Sequence, residues 1–220
     1  MIDADGAAEA ACRVETLTVG PFQSNCYVAR PADGGPAIVI DPGDEPERIL
    51  ERIGGLEVAA ILLTHAHLDH IGAVAAVKRA TGAPVYLHPA DRFLYDAAGQ
   101  HARMYGLRMD QPPAPDRELA DGDELRLGGL AWSVRHVPGH SPGHVIFVGD
   151  GIAFVGDCVF AGSIGRTDLP GGDMETLLAP IRREILSLPA DTVLYPGHMG
   201  PTSVGREART NPFLVTGGYA

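Results

Sequence analysis

Val58-Ala59-Ala60-Ile61-Leu62-Leu63-Thr64-His65-Ala66-His67-Leu68-Asp69-His70 runs from an unbroken apolar segment straight into four metal-binding side chains. Residues 58–63 are β-branched and aliphatic throughout, the pattern of a strand buried on both faces. On an extended chain, residues two apart project to the same side, so His65 and His67 can grip one ion. Asp69 and His70 follow where the chain turns into a helix and can face a second ion. Taken alone, Asp69 reads equally well as a helix N-cap. Beside three histidines, in a chain with nine among 220 residues, it reads as a ligand.

Three more donors sit where other strands end. His140 lies in Val137-Pro138-Gly139-His140-Ser141-Pro142-Gly143-His144, Asp157 in Val155-Gly156-Asp157-Cys158, and His198 in Leu194-Tyr195-Pro196-Gly197-His198. Each turn is rich in glycine or proline, and a glycine beside a ligand lets backbone approach a crowded centre. A catalytic zinc typically takes three protein ligands plus water. Five histidines and two aspartates exceed one such site and suit two ions sharing a carboxylate. The expected grouping is His65, His67 and His140 on one ion, Asp69, His70 and His198 on the other, and Asp157 between them.

Outward from this motif, the first third reads as strands at 13–18, 26–29 and 37–40, a helix at 46–53, and the strand at 58–63. A helix at 70–80, a strand at 85–87 and helical residues at 89–98 follow, then a proline-rich loop at 104–115. The second half reads as strands at 124–127, 131–136, 144–148 and 152–155, joined by Gly-Gly and Gly-Asp-Gly turns suited to hairpins. A helix at 174–186 with Asp173 as its N-cap, a strand at 192–195 and a short helix after Pro201 complete the chain. Helices would then cover the outer faces of two packed mixed sheets.

Composition narrows the partners. The chain carries 17 Lys+Arg against 28 Asp+Glu, a net charge of −11, which argues against nucleic acid and anionic membranes. With 45% hydrophobic and 20% charged residues, it is too apolar for disorder. Its 28 glycines and 18 prolines punctuate apolar runs, as in a fold of many short strands. No apolar stretch nears the roughly 18 residues a membrane span needs, and residues 1–5 show no secretory leader. The three cysteines, Cys12, Cys26 and Cys158, form no disulfide framework. A single domain over residues 1–220, located in the cytoplasm, is expected.

These segments resemble the metallo-β-lactamase superfamily, whose signature is HxHxDH followed by spaced His, Asp and His. The resemblance is strongest to the glyoxalase II group, hydroxyacylglutathione hydrolases, of the short single-domain type. It rests on residues 22–27, 40–44, 64–70, 138–144, 156–157, 165–173, 195–198 and 210–214, which run nearly end to end. It implies an α/β (α+β) fold, a four-layer αβ/βα sandwich with metals at one edge between the sheets. It also implies two divalent ions, zinc with iron or manganese as alternatives, and hydroxide attack on a small-molecule thioester such as a glutathione conjugate. Asp69 would orient the nucleophile or move its proton. Larger relatives add a helical region with basic glutathione-binding residues, and this chain stops short of one. The rival reading is a persulfide dioxygenase of the same superfamily, which holds one iron and shares the Gly165-Arg166-Thr167-Asp168 segment. A β-lactamase is disfavoured because those enzymes lack an aspartate at the Asp157 position.

Several residues keep two readings. Asp41 either holds a ligand imidazole from behind or serves the turn before Pro42. Arg166 either pairs with an anionic substrate group or forms a salt bridge with Asp168 or Asp173. Tyr105 and Tyr195 are candidates for substrate contact. His144 reads as a strand-start or supporting residue, His88, His101 and His136 as core or solvated histidines, and Cys158 as a small buried residue.

Overall fold

The computed structural model describes residues 11–215; residues 1–5, inspected above for a leader, lie outside them. The first half comprises β1 (Cys12–Val19), β2 (Ser24–Pro31), β3 (Ala37–Ile40), α1 (Pro46–Ile53), β4 (Val58–Leu62), α2 (Leu68–Ile71), α3 (Val74–Thr81), β5 (Val85–Leu87), α4 (Arg92–Asp96), α5 (Ala98–Met104) and β6 (Arg117–Glu118). The second comprises β7 (Glu124–Leu127), β8 (Leu130–His136), β9 (Val145–Val148), β10 (Ile152–Gly156), β11 (Val159–Phe160), β12 (Ser163–Ile164), α6 (Met174–Pro180), β13 (Val193–Pro196), β14 (Thr202–Ser203) and α7 (Val204–Thr210).

One sheet has the strand order β1-β2-β3-β4-β5-β6 and the other β14-β13-β10-β9-β8-β7, with β11 and β12 a separate hairpin. From β3 to β6 the pairing is parallel, with α1 and α3 as crossovers, as parallel neighbours require.

Side-chain alternation along the apolar strands builds the layers. In β3, Ile38 and Ile40 join Tyr27, Leu62, Trp132, Phe147 and Phe154 between the sheets. Ala37 and Val39 face the other way, into a core with Ile49 and Ile53 of α1 and Val74 and Val77 of α3. On the second sheet, Ala153 and Val155 turn outward against Leu177 of α6 and Val204 of α7. Two sheets, buried on both faces and covered outside by helices, make the expected αβ/βα sandwich.

The structure corrects three elements. The helix expected at 70–80 is two helices, α2 and α3, separated at Gly72. A Cβ at Gly72 would lie 2.2 Å from the Gly43 carbonyl oxygen, so the chain bends around the loop leaving β3. The helix expected at 174–186 is α-helical only to Pro180 and ends as a π turn over Ile181–Ile185, because proline has no N–H to continue the ladder. Residues 99–103, given no element above, lie in α5 (Ala98–Met104).

Candidate metal centre

Four strand exits meet at one edge of the sandwich. β4 leads into His65 and His67, β8 into the His140 loop, β10 directly into Asp157, and β13 into His198. Parallel pairing sets Gly156 opposite Pro196, and Gly197 N–H donates to the Gly156 carbonyl at 2.8 Å, so Asp157 and His198 arrive side by side. Here the two sheets are stitched together: Val145 N–H donates to Thr64 O at 2.8 Å and Asn25 N–H to Gly197 O at 2.7 Å. The Asn25 amide donates to Pro196 O and Met199 O, and the Tyr27 hydroxyl donates to Pro196 O. A Cβ at Gly197 would sit 2.0 Å from Asp157 Oδ1 and 2.7 Å from His70 Cε1, so only glycine fits beside these groups.

The seven candidate ligands converge. His65, His67 and His140 form one donor group, and Asp69, His70 and His198 another. His67 Nδ1 faces His140 Nε2 at 2.9 Å. Asp69 Oδ2 lies 3.2 Å from His198 Nε2 and 3.5 Å from His70 Nε2. Asp157 reaches both groups: Oδ2 is 3.5 Å from His140 Nε2 and from His198 Nε2, and Oδ1 is 3.5 Å from His70 Nε2. Asp41, near His65 and His70, is engaged from outside. Its Oδ1 accepts from Thr64 N–H at 2.8 Å, and its Oδ2 accepts from Thr64 Oγ1 at 2.6 Å and contacts His70 Nδ1 at 3.2 Å.

This donor set fits divalent cations. His65 Nε2, His67 Nε2, His70 Nε2 and Asp157 Oδ1 are buried without a hydrogen-bond partner. Buried polar atoms left unpaired are costly, and a cation bound among them would satisfy them. The far ring nitrogens are already engaged: His70 Nδ1 by Asp41, His140 Nδ1 by the Arg166 carbonyl at 2.8 Å, and His198 Nδ1 by the Gln23 carbonyl at 3.2 Å. That arrangement leaves each Nε2 lone pair aimed inward. Burial holds His65 well below the usual imidazole range, and neighbouring imidazoles push it further. Burial opposes charge on His70 too, yet Asp69, Asp157 and Asp41 outweigh it and raise His70 to about 9.

Of the two-way residues, Asp41 contacts the His70 imidazole on the side away from the other donors. His144 is buried, and its Nε2 accepts from the Asp157 N–H at 3.0 Å. Cys158 is fully buried. The Arg166 guanidinium pairs with Asp168 through two contacts of 2.7 Å, as the salt-bridge reading had it, although the residue also borders the cleft. Tyr195 is corrected: it packs against Tyr27 and Phe154 between the sheets, because strand alternation turns it inward. His88 and His136 stack on each other, whereas His101 borders the cleft.

One buried residue that joins the turns of the site escaped the sequence reading. Asp91, fully buried, accepts from Ala66 N–H at 3.0 Å, Ser141 Oγ–H at 2.7 Å and Gly143 N–H at 2.6 Å. It ties the His65–His67 turn to the His140 loop. An aspartate two residues after His88-Pro89 looks like a helix-start residue, and nothing nearby in sequence signals its remote partners.

His67, Asp69, His140, Asp157 and His198 floor a cleft of about 330 Å³ walled by Phe22, Leu94, Met104, Tyr105, Leu169 and Pro170. Residues 19–198 match the metallo-beta-lactamase superfamily. Hydroxyacylglutathione hydrolase GloC of Haemophilus influenzae is 40% identical over 207 residues, spanning 91% of this chain and 97% of that protein. The crystal structure of TTHA1623 in a di-iron-bound form is 50% identical with a TM-score of 0.83, covering 91% of this chain and 100% of that one. The BLEG-1 B3 metallo-beta-lactamase is 40% identical with a TM-score of 0.86, covering 93% and 100%.

Proposed function

The chain belongs to the metallo-β-lactamase superfamily, and on that premise we propose that it is a metal-dependent thioester hydrolase, with S-lactoylglutathione as the reference S-(2-hydroxyacyl)glutathione substrate. One observation carries the reading: the Asp157 carboxylate lies within 3.5 Å of imidazoles from both donor groups, at the floor of an open cleft. His65, His67 and His140 would hold one ion, Asp69, His70 and His198 the other, and Asp157 both. Zinc is the first expectation, with iron or manganese accepted by the same donors; a relative is described with two irons bound. Cations held there would supply charge that lowers the pKa of water toward about 7 and draws electrons from a carbonyl.

The chain's own groups do the rest. Asp69 borders the cleft. Burial alone would favour its neutral acid, but His70 and His198 outweigh that and keep it below the usual carboxylate range. Its carboxylate accepts a hydrogen bond from the attacking water and orients it toward the acyl carbon. Water adds to that carbon, the C–S bond breaks, and a carboxylic acid and a thiol leave. A thiol of pKa about 8.5 departs readily as thiolate, whereas an amine needs a proton first, which favours thioesters. The reading carries with it a cytoplasmic location and no nucleic-acid partner. Among the described residues, no helix is long and apolar enough to cross a membrane.

The test pairs two assays on metal-loaded protein. Thiol release from S-lactoylglutathione, without oxygen uptake from glutathione persulfide, is expected, and Asp69→Ala or Asp157→Ala should abolish it while the fold persists. Oxygen uptake without thioester loss would replace this reading with the persulfide dioxygenase. Turnover of a β-lactam alone would refute both.

A further inference from the structure

The walls of the cleft say how the thiol half of the substrate is held, given the thioester reading above. Phe22, on the turn between β1 and β2, is 40% exposed; Met104 and Tyr105, at the end of α5, are 75% and 59% exposed. All three border the cleft. The Phe22 and Tyr105 rings meet edge to face with centroids 5.5 Å apart, a geometry that aromatic pairs prefer and that holds both rings in place. Large apolar side chains left open beside a reactive floor are the usual mark of a ligand wall.

Charge points the same way. The arginine that borders the cleft, Arg166, already holds the Asp168 carboxylate through Nε and one Nη, so an incoming carboxylate meets a guanidinium whose charge is partly matched. Arg108 has no hydrogen-bond or ion-pair partner among the described residues, and it lines an adjoining recess of about 50 Å³ that shares Phe22, Leu68 and Asp69 with the cleft. That space takes one or a few waters, each with a share of about 30 Å³ in the liquid, and no amino-acid arm. A net charge of −11 over the whole chain adds a field that disfavours anions.

We propose that the leaving thiol is recognised by apolar contact with Phe22, Met104 and Tyr105 and not by pairing of its carboxylates. The substrate class is then hydroxyacyl thioesters of neutral, apolar thiols, and a glutathione ester is accepted without being preferred. The size of the cleft, at the lower end of the roughly 300–1,000 Å³ of small-molecule sites, suits an acyl group with a short thiol.

Three lactoyl thioesters test this on the metal-loaded full chain: those of glutathione, N-acetylcysteamine and 2-phenylethanethiol. The phenylethyl ester should have the highest kcat/KM, about tenfold above the glutathione ester. Tyr105→Ser, an exposed change, should lower kcat/KM for the phenylethyl ester about tenfold and for the glutathione ester no more than threefold. A glutathione ester preferred over both others, with the preference lost in Arg108→Gln or Arg166→Gln, overturns the inference and leaves the hydrolase standing. Hydrolysis of none of the three overturns the thioester reading itself.

Discussion

Asp91→Asn perturbs the metal edge without touching any candidate ligand. The native carboxylate satisfies three buried donors, Ala66 N–H and Ser141 Oγ–H at Oδ2 and Gly143 N–H at Oδ1. In the variant, the amide oxygen can take over the two donors at Oδ2, but the NH₂ then confronts the Gly143 N–H. The Gly143 N–H and the new amide NH₂ are then both buried donors without an acceptor, at about 1–3 kcal/mol each, ~2–6 kcal/mol in all. For a chain of this size, ~1 kcal/mol moves Tm by about 2–4 °C, so thermal melts should show a loss of about 4–24 °C. Because Asp91 joins the His65–His67 turn to the His140 loop, chelator competition should also show metal affinity about 10–100-fold weaker, as for other groups that orient ligands from behind. A melt within 1 °C of the parent with unchanged affinity would show that Asp91 does not organise the site.

Two further outcomes follow from the geometry. Gly197→Ala places a methyl 2.0 Å from Asp157 Oδ1, so metal binding should fall sharply while circular dichroism in the far ultraviolet stays near that of the parent; full metal occupancy would contradict the packing described. Asp116 accepts from Val85 N–H at 2.7 Å and pairs with Lys78. Burial would raise its carboxyl, but these partners outweigh it and hold the group below 3.8. Its folded value lies under its unfolded one, so its contribution is present above pH about 4 and disappears as pH falls through the folded value. Asp116→Asn should therefore lower Tm at pH 7 and converge on the parent in acid; a gap that persists at pH 2 would refute the ion-pair account.

How much of this was legible in the sequence depended on where the information lies. Strands such as β3, β4 and β10 announce themselves because burial on both faces demands continuous apolar runs, and α1 through its apolar positions. The seven donors stand out because histidine and aspartate crowd six residues and then recur at glycine-rich strand ends. What stayed hidden is tertiary. The break at Gly72 exists because Gly43 backbone passes against it. Arg166 supports His140 through its carbonyl, a role that any residue type could fill. Asp91 acts across fifty residues on Ser141. Tyr195 faces the core for a reason the sequence did contain, since Leu194 beside it packs on the opposite side.

The account rests on two neighbouring cations sharing Asp157, and elemental analysis of metal-replete protein tests that most directly. Two ions per chain, falling to one or fewer in Asp157→Ala, is the predicted result. One ion per chain in the parent protein under the same conditions would contradict it.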